Sequence, residues 1–160
     1  MPNPTGPVFE LTPALCEEGL AESRRSPRRR MLLPIHRGGE DLVQRMINFL
    51  QPGTYIQPHQ HPREGASETV LVMSGCLGFL CFDEAGELRT ASRLEVGDLI
   101  DIEAGIWHGV VALAPDTVIL EFKRGPFDVA DKVAAEWAPA ENSEAAPAYL
   151  ARLLSFFPER

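Results

Sequence analysis

The sequence has few cysteines and no long apolar run. Its three cysteines, Cys16, Cys76 and Cys81, are an odd number at irregular spacing, which fits neither a disulfide framework nor paired CxxC metal knuckles. No apolar stretch approaches the roughly 20 residues that a membrane-spanning helix needs. The N-terminus, MPNPTGPVFELTP, lacks the basic and apolar regions of a secretory signal. These absences predict a soluble, cytoplasmic protein with reduced thiols and no membrane partner.

Basic residues are also in short supply. Acidic residues outnumber them by 23 to 15, and the formal net charge of −8 disfavours a general phosphate-backbone binder. We therefore expect no nucleic-acid partner. The exception is a local cluster of five arginines, Arg24, Arg25, Arg28, Arg29 and Arg30. Because no aromatic residue interrupts it, a solvated face is the favoured interpretation, and the alternative is that one arginine lines a pocket.

The pattern of apolar residues predicts a protein made mostly of β-strands. A chain of 160 residues has room for about one domain with one core. From about residue 41, short runs of branched and aromatic residues alternate with turn residues. They predict eight strands, near 42–50, 54–61, 68–73, 76–82, 88–94, 98–102, 107–113 and 117–123. Eight such strands favour a jelly roll, in which two antiparallel sheets pack face to face.

Helical segments are predicted on both sides of the strands. Thr12 and Pro13 are typical of an N-cap and a first helical position, so a short helix begins there. After Pro126 the apolar spacing becomes helical over 130–137 and again over 149–157. We expect one structural domain: an N-terminal helix and arm over 1–40 packed on the barrel, a barrel over 41–125, and a C-terminal helical extension over 126–160.

Three histidines and a glutamate form a candidate metal site. His59 and His61 are two residues apart, so in a strand both imidazoles lie on the same face. That spacing alone is also common in surface segments. Glu68 and His108 each open a later predicted strand and supply two more ligands. Nitrogen and oxygen donors of this kind suit one divalent Fe, Mn, Ni, Co or Zn ion, and the absence of a thiolate argues against a closed structural zinc site.

The spacing of these residues resembles the two motifs of the cupin family. The first motif is matched by Gly53, His59, His61, Glu68 and Gly75, and the second by Gly97, Asp98, Gly105 and His108. The spacer before Glu68 is longer than in the commonest form, Ala112 stands where many cupins carry asparagine, and Glu103 replaces the usual proline. The resemblance implies a cupin-type double-stranded β-helix whose barrel holds the metal.

Nearly the whole chain resembles one group of cupins more closely, the WbuC family of metalloproteins. The matching segments are SPRRR at 26–30 with His36, QRM at 44–46, YIQPHQH at 55–61, LEFKRGP at 120–126, DK at 131–132, and WAP at 137–139 with Glu141. This resemblance implies a metal-binding cupin that some bacteria encode among genes for surface polysaccharide synthesis. It implies no established reaction.

Two residues have competing interpretations. Glu64 is the rival to Glu68, because the commonest cupin spacer places a glutamate nearer His61. The interval from Glu68 to Gly75 fits the motif, whereas Glu64 lies in a predicted loop, so Glu68 is favoured. His36 stands outside both motifs. We expect a hydrogen-bonded structural histidine there, with a contact at the barrel mouth as the alternative.

The favoured function is a metal-dependent enzyme acting on a small molecule. The metal would act as a Lewis acid on a sugar derivative or a hydroxy or keto acid, giving isomerase, epimerase or lyase chemistry. Glu121 and His36 are the candidate acid-base residues, and the candidate substrate contacts are Arg45, Arg30, Tyr55 and Lys123. The alternative for the charged strand residues is a solvent-facing outer sheet, and for Tyr55 it is the core.

Two other functions use the same four ligands. One is an Fe(II)-dependent dioxygenase, and the other is a non-enzymatic module that binds a small ligand. Because exposed sheet edges need cover, and cupins commonly pair, we also expect a homodimer.

Overall fold

The computed structural model describes residues 1–158, and within them the chain forms two α-helices and ten strands. The helices are α1 (Pro13–Arg25) and α2 (Ala146–Leu154). The strands are β1 (Arg30–Pro34), β2 (Val43–Leu50), β3 (His59–Gln60), β4 (Glu68–Ser74), β5 (Leu77–Phe82), β6 (Leu88–Leu94), β7 (Leu99–Ile102), β8 (Trp107–Ala112), β9 (Thr117–Arg124) and β10 (Val133–Ala134). A short 3-10 turn covers Val129–Asp131.

The strands form two five-stranded antiparallel sheets. One has the order β1-β2-β9-β4-β7 and the other β10-β3-β8-β5-β6, so neighbouring strands in a sheet are mostly distant in sequence. A core of apolar side chains fills one end of the space between the sheets, including Leu50, Val70, Leu77, Phe79 and Ile119. The predicted all-β jelly roll with flanking helical segments is confirmed.

The ends of the chain differ from the strand and helix predictions in detail. Arg30–Pro34 precedes the predicted start of the barrel and forms β1, which pairs with β2 along its whole length. The predicted helix over 130–137 is wrong. A 3-10 turn ends at Asp131, and Val133–Ala134 are extended instead, because β10 pairs with β3 and the amide of Ala135 donates to the carbonyl of Pro58 at 2.8 Å. Of the predicted strand over 54–61, only His59–Gln60 has strand pairing.

The two helices cover opposite sides of the barrel. The hydroxyl of Thr12 accepts a hydrogen bond from the amide of Leu15, which confirms the predicted N-cap of α1. This helix packs against the outer face of β2, where Gly19 lies against the ring of Phe49. The helix α2 packs with Leu150 and Leu153 against the other sheet. Over residues 1–158 neither helix has the length and apolar character needed to cross a membrane.

Candidate metal centre

Strand alternation turns one row of β2 and one row of β9 toward the barrel interior. On β2 the inward residues include Gln44, Met46 and Asn48, and on β9 they are Ile119, Glu121 and Lys123. The residues between them face outward, where α1 covers several of them. The inward rows form one wall of a cavity of about 780 Å³ that is open to solvent at one end of the barrel.

The four predicted ligands converge in this cavity. His59 lies on β3, His61 follows it directly, Glu68 begins β4 and His108 lies on β8. Each can offer one donor atom such that all four atoms lie within 4.8 Å of one another. All four residues are buried, with exposures between 2 and 8 %. The register pairs His59 with His108 directly across the sheet, and their ring centroids are 4.5 Å apart.

Backbone carbonyl groups fix the orientation of all three imidazoles. Nδ1 lies 3.1 Å from the carbonyl oxygen of Gln57 in His59, 2.7 Å from that of Asp131 in His61, and 2.8 Å from that of Ile106 in His108. A carbonyl oxygen only accepts, so each Nδ1 carries the proton and donates it. Nε2 of each ring, not Nδ1, is therefore the atom available to the centre of the group, as in histidine ligands of metals.

The protonation states also suit a metal. Burial lowers the pKa of His59 well below its usual value and lowers that of His108, so both rings are neutral near pH 7. Burial raises the pKa of Glu68, but the hydrogen bond with His61 and the nearby imidazoles outweigh it and lower the pKa to about 2. Two buried neutral nitrogens and a buried carboxylate are thus available as donors.

Two observations show that the ring nitrogens of this group do not all have suitable hydrogen-bond partners among residues 1–158. Nε2 of His108 is buried and has no hydrogen-bond partner within residues 1–158, and its distance to Glu68 Oε2 is 3.9 Å. Nε2 of His61 lies 2.9 Å from the same carboxylate oxygen, a contact that requires a proton between the two atoms. A divalent cation in their midst would replace that proton and give His108 a partner. The residues present therefore fit a metal.

The structure separates the other predicted site residues into two sets. Arg30, His36, Glu121 and Lys123 line the cavity. For Glu121 and Lys123 the alternative of a solvent-facing outer sheet is wrong. The side chain of Glu121 accepts a hydrogen bond from Asn48 Nδ2 at 2.8 Å. Burial, with the charge of Glu68 adding to it, raises the pKa of Glu121 to about 8.

Arg45 and Tyr55 do not line this cavity. Arg45 lies between the inward residues Gln44 and Met46 on β2, so its side chain points to the opposite face and pairs with Asp41 at 3.2 Å. The ring of Tyr55 packs in the cluster beneath α2, and its hydroxyl donates to the carbonyl of Pro139 at 2.7 Å. Tyr55 therefore lies in the apolar core, which was the alternative interpretation of this residue.

The rival carboxylate and the arginine cluster also have clear positions. Glu64 is exposed in the loop before β4 and is not part of the buried group. Arg30 pairs with Glu141 at 2.6 Å and donates to the carbonyl of Tyr55 at 2.8 Å, and Arg28 pairs with the same glutamate at 3.1 Å. Two arginines of the cluster, Arg28 and Arg30, therefore line the cavity, and they share the carboxylate of Glu141.

Sequence reasoning assigned no role to several polar residues of the cavity, among them Asn48 and Lys132. Asn48 holds Glu121 from the neighbouring strand, and the alternation of β2 with Met46 and Leu50 was the signal that could have found it. Lys132 lies outside any regular element, so no periodicity marks it. It was visible only as part of the DK segment that the chain shares with the WbuC family.

A model of the family described as "Domain of unknown function (DUF6016)" matches residues 11–94, just over half of the chain. The chain belongs to this family. The match includes β1 to β6 of the DUF6016 chain and three of the four buried residues, His59, His61 and Glu68. No curated protein matches the sequence. The family description does not carry the name WbuC, so that closer resemblance stays a prediction.

Solved structures of similar shape are cupin-fold proteins. One, "Recombinant oxalate oxidase in complex with glycolate", has a TM-score of 0.53 at 19 % identity. The match covers 64 % of this chain and 54 % of the oxalate oxidase chain. Another, an oxalate oxidase studied for its mechanism, has a TM-score of 0.52 at 19 % identity, with 63 % and 53 % coverage. An oxalate decarboxylase mutant from Bacillus subtilis has a TM-score of 0.50 at 21 % identity, with 59 % and 24 % coverage.

At these identities the likeness shows the fold alone. It confirms the cupin-type jelly roll. The chain spans about half the length of the oxalate oxidases and about a quarter of the decarboxylase.

Proposed function

We propose that this protein is a metal-dependent cupin enzyme that acts on a small oxygenated molecule. One observation carries the proposal: three imidazole rings and one carboxylate converge in a cavity large enough for a small molecule. His59, His61, Glu68 and His108 would hold one divalent Fe, Mn, Co, Ni or Zn ion. Four protein ligands leave coordination positions open toward the cavity for most of these ions.

The ion would supply Lewis acidity that polarises a carbonyl or hydroxyl oxygen of the substrate. Side chains of the protein would then donate and accept the proton that the reaction moves. Glu121 lies on the cavity wall, and its raised pKa keeps a large share of its carboxyl group protonated at neutral pH. A carboxyl group poised near the working pH can donate a proton and take one back, which is the behaviour of a general acid-base residue. Asn48 orients it.

His36 is the second proposed acid-base residue. Its ring lines the cavity, and Nδ1 lies 2.8 Å from the carbonyl oxygen and 3.1 Å from the amide nitrogen of Arg45. The β2 backbone therefore holds the ring in place while its other edge remains available. Arg30, held by Glu141, would contact the substrate at the cavity wall.

The substrate class rests on charge and on resemblance. The charged groups of the cavity suit a hydroxy or keto acid or a sugar derivative with several oxygens. The resemblance to the WbuC family favours a role in surface polysaccharide metabolism. The reaction we propose is isomerisation, epimerisation or elimination, since each needs a polarised oxygen and a proton relay.

Metal analysis followed by a proton-exchange assay tests this function. Protein purified without an affinity tag is expected to contain about one transition-metal ion per chain. Loaded protein is then incubated in D₂O with candidate sugar acids and hydroxy and keto acids. NMR is expected to show deuterium entering at the carbon next to the polarised oxygen, and Glu121→Gln is expected to stop this while keeping the metal.

The same incubations distinguish the other two functions. Oxygen uptake by the Fe(II)-loaded protein with a substrate would replace the proposal by dioxygenase chemistry. Tight binding with no chemical change over long incubation would replace it by a binding module. The proposed homodimer is tested separately by sedimentation, where a mass near 17.6 kDa would contradict it.

A further inference from the structure

The sequence contains only two lysines, Lys123 and Lys132, and both line the same cavity. The other 13 basic residues are arginines, most of them on the surface. In a chain of net charge −8, this places both ammonium groups beside the buried histidine and glutamate group. A local positive potential inside an acidic protein attracts anions.

Neither ammonium group has a carboxylate at ion-pair distance within residues 1–158. Among the charges around the cavity, Arg28 and Arg30 share Glu141, and Glu68 is engaged by His61. No ion pair or hydrogen bond of either lysine's ammonium group occurs within the part of the chain that the structure describes. Lys123 is half-buried and Lys132 is exposed, so both side chains are accessible to a ligand.

The strand register places Lys123 next to the metal ligands. Lys123 on β9 is the cross-strand partner of Glu68 on β4, and both side chains face the cavity. Such partners have Cβ atoms about 5 Å apart. The ammonium group nevertheless makes no ion pair with this carboxylate, so it is free to contact a ligand held beside the four ligands.

Lys132 approaches the same space from the segment before β10. The preceding carbonyl, that of Asp131, accepts from His61, which ties this segment to the buried group. Lys132 and Lys123 both line the cavity that contains this group. Two ammonium groups on the wall of one cavity can contact the same carboxylate or phosphate group.

We propose that the ligand of this cavity carries two anionic ends, one chelated at the metal and the other bound between Lys123 and Lys132. This inference rests on the proposed metal site and narrows its substrate to a hydroxy or keto acid with a second carboxylate or a phosphate. The apolar wall formed by Met46, Val70 and Ile119 suits a short carbon chain between the two ends.

The absence of other lysines gives a sharp test. N-hydroxysuccinimide acetate, an uncharged reagent, acetylates only Lys123, Lys132 and the N-terminal amine, and peptide mass spectrometry separates the three. We expect malate or 3-phosphoglycerate to slow acetylation of both lysines in the Zn²⁺-loaded protein, whereas lactate, which has one carboxylate, does not. The carboxylate and phosphate probes show which second anion the site prefers.

Isothermal titration calorimetry measures the affinity of the Zn²⁺-loaded protein for the same three acids. Either two-ended acid is expected to bind at least about tenfold more tightly than lactate, the scale of one charged hydrogen bond. Lys123→Gln and Lys132→Gln should each remove most of this preference and leave lactate binding and metal content unchanged. The control is Arg89→Gln, which removes an exposed charge paired with Asp83 on the other sheet. Equal affinity for all three acids, or acetylation that no acid slows, overturns the lysine site.

Metal content separates this failure from failure of the proposed function. If the metal is bound and lactate binds but the lysines are never protected, the metal site stands and the lysine site falls. If no metal is bound and the two-ended acids still protect both lysines, the lysine site stands and the metal-dependent function falls.

Discussion

Nδ1 of His61 lies 2.7 Å from the carbonyl oxygen of Asp131, 70 residues later in the sequence. The carboxylate of Asp131 in turn pairs with Arg63 at 2.8 Å, two residues after His61. These two contacts close a loop between the segment after β3 and the segment before β10. A buried residue of the proposed metal site is therefore oriented by a part of the chain that lies outside the predicted barrel.

This loop predicts that Asp131 affects metal affinity without being a ligand. Asp131→Ala removes the ion pair with Arg63, so the carbonyl that orients His61 is held less firmly. We expect metal affinity to fall about tenfold, in the range known for groups that orient metal ligands. Competition against a chelator measures it. Arg63→Gln should give a similar loss, and the double variant should lose little more, because both changes break one interaction.

Metal binding is also expected to stabilise the fold, and the effect should depend on His108. At a metal concentration 100 times the dissociation constant, a single site adds about 2.7 kcal/mol to the free energy of unfolding. Thermal unfolding of the chelator-treated protein, with and without added Zn²⁺ or Mn²⁺, measures this as a rise in Tm. His108→Ala is expected to lose the rise. His36→Gln, a histidine outside the buried group, should keep it, and an equal loss in both variants would contradict the assigned ligands.

The four buried residues could be predicted because their signal is local in sequence. His59 and His61 share a strand face by alternation, and the intervals around Glu68 and His108 match motifs of a known fold. Lys132 in the cavity, and Asp131, which orients His61, have no such signal. Asp131 ends a short 3-10 turn and Lys132 follows it, in a segment whose alanines and valine have helical spacing although Val133–Ala134 pair with β3 in extended form.

The orientation of Glu121 and Lys123 shows a second reason why sequence was insufficient. Alternation places them on one face of β9 with Ile119 and places Leu120 and Phe122 on the other. It does not say which face is interior. Here both faces bury apolar residues, because α1 covers part of the outer face, and Val118 and Leu120 pack beneath it. Only the packed structure identifies the charged row as the cavity wall.

The contact between α1 and β2 gives a stability prediction. A Cβ atom at Gly19 would lie 2.3 Å from the ring of Phe49, so Gly19→Ala forces the helix away from the sheet. Overpacking of this kind costs about 1–3 kcal/mol, more than the roughly 1 kcal/mol that alanine adds to helix propensity. Urea unfolding should show the loss. Gly38→Ala is the control, since a Cβ atom there meets nothing within 4 Å. Equal midpoints for the two variants would show that α1 packs differently.

Glu121 predicts how the stability of the metal-free protein changes with pH. Its pKa is about 8 in the fold against 4.5 as an ordinary glutamate, because burial disfavours the charged form. The folded protein therefore holds this proton more tightly than the unfolded chain does. Below about pH 4.5 the group is protonated in both the folded and the unfolded state and does not oppose folding. Between pH 4.5 and 8 the unfolded chain loses the proton first, so the free energy of unfolding falls as pH rises. Above pH 8 the carboxylate is charged in both states and the fall is complete.

Glu121→Gln removes this charge while keeping an oxygen that accepts from Asn48. We expect the Tm of the variant to match that of the parent protein near pH 4.5 and to exceed it by a growing margin up to pH 8. Differential scanning calorimetry with a chelator present measures both. Asp83→Asn is the control, since that half-buried carboxylate has its pKa lowered by backbone hydrogen bonds and its removal should give no such gain. A Glu121→Gln advantage that shrinks as pH rises would contradict a buried, protonated Glu121.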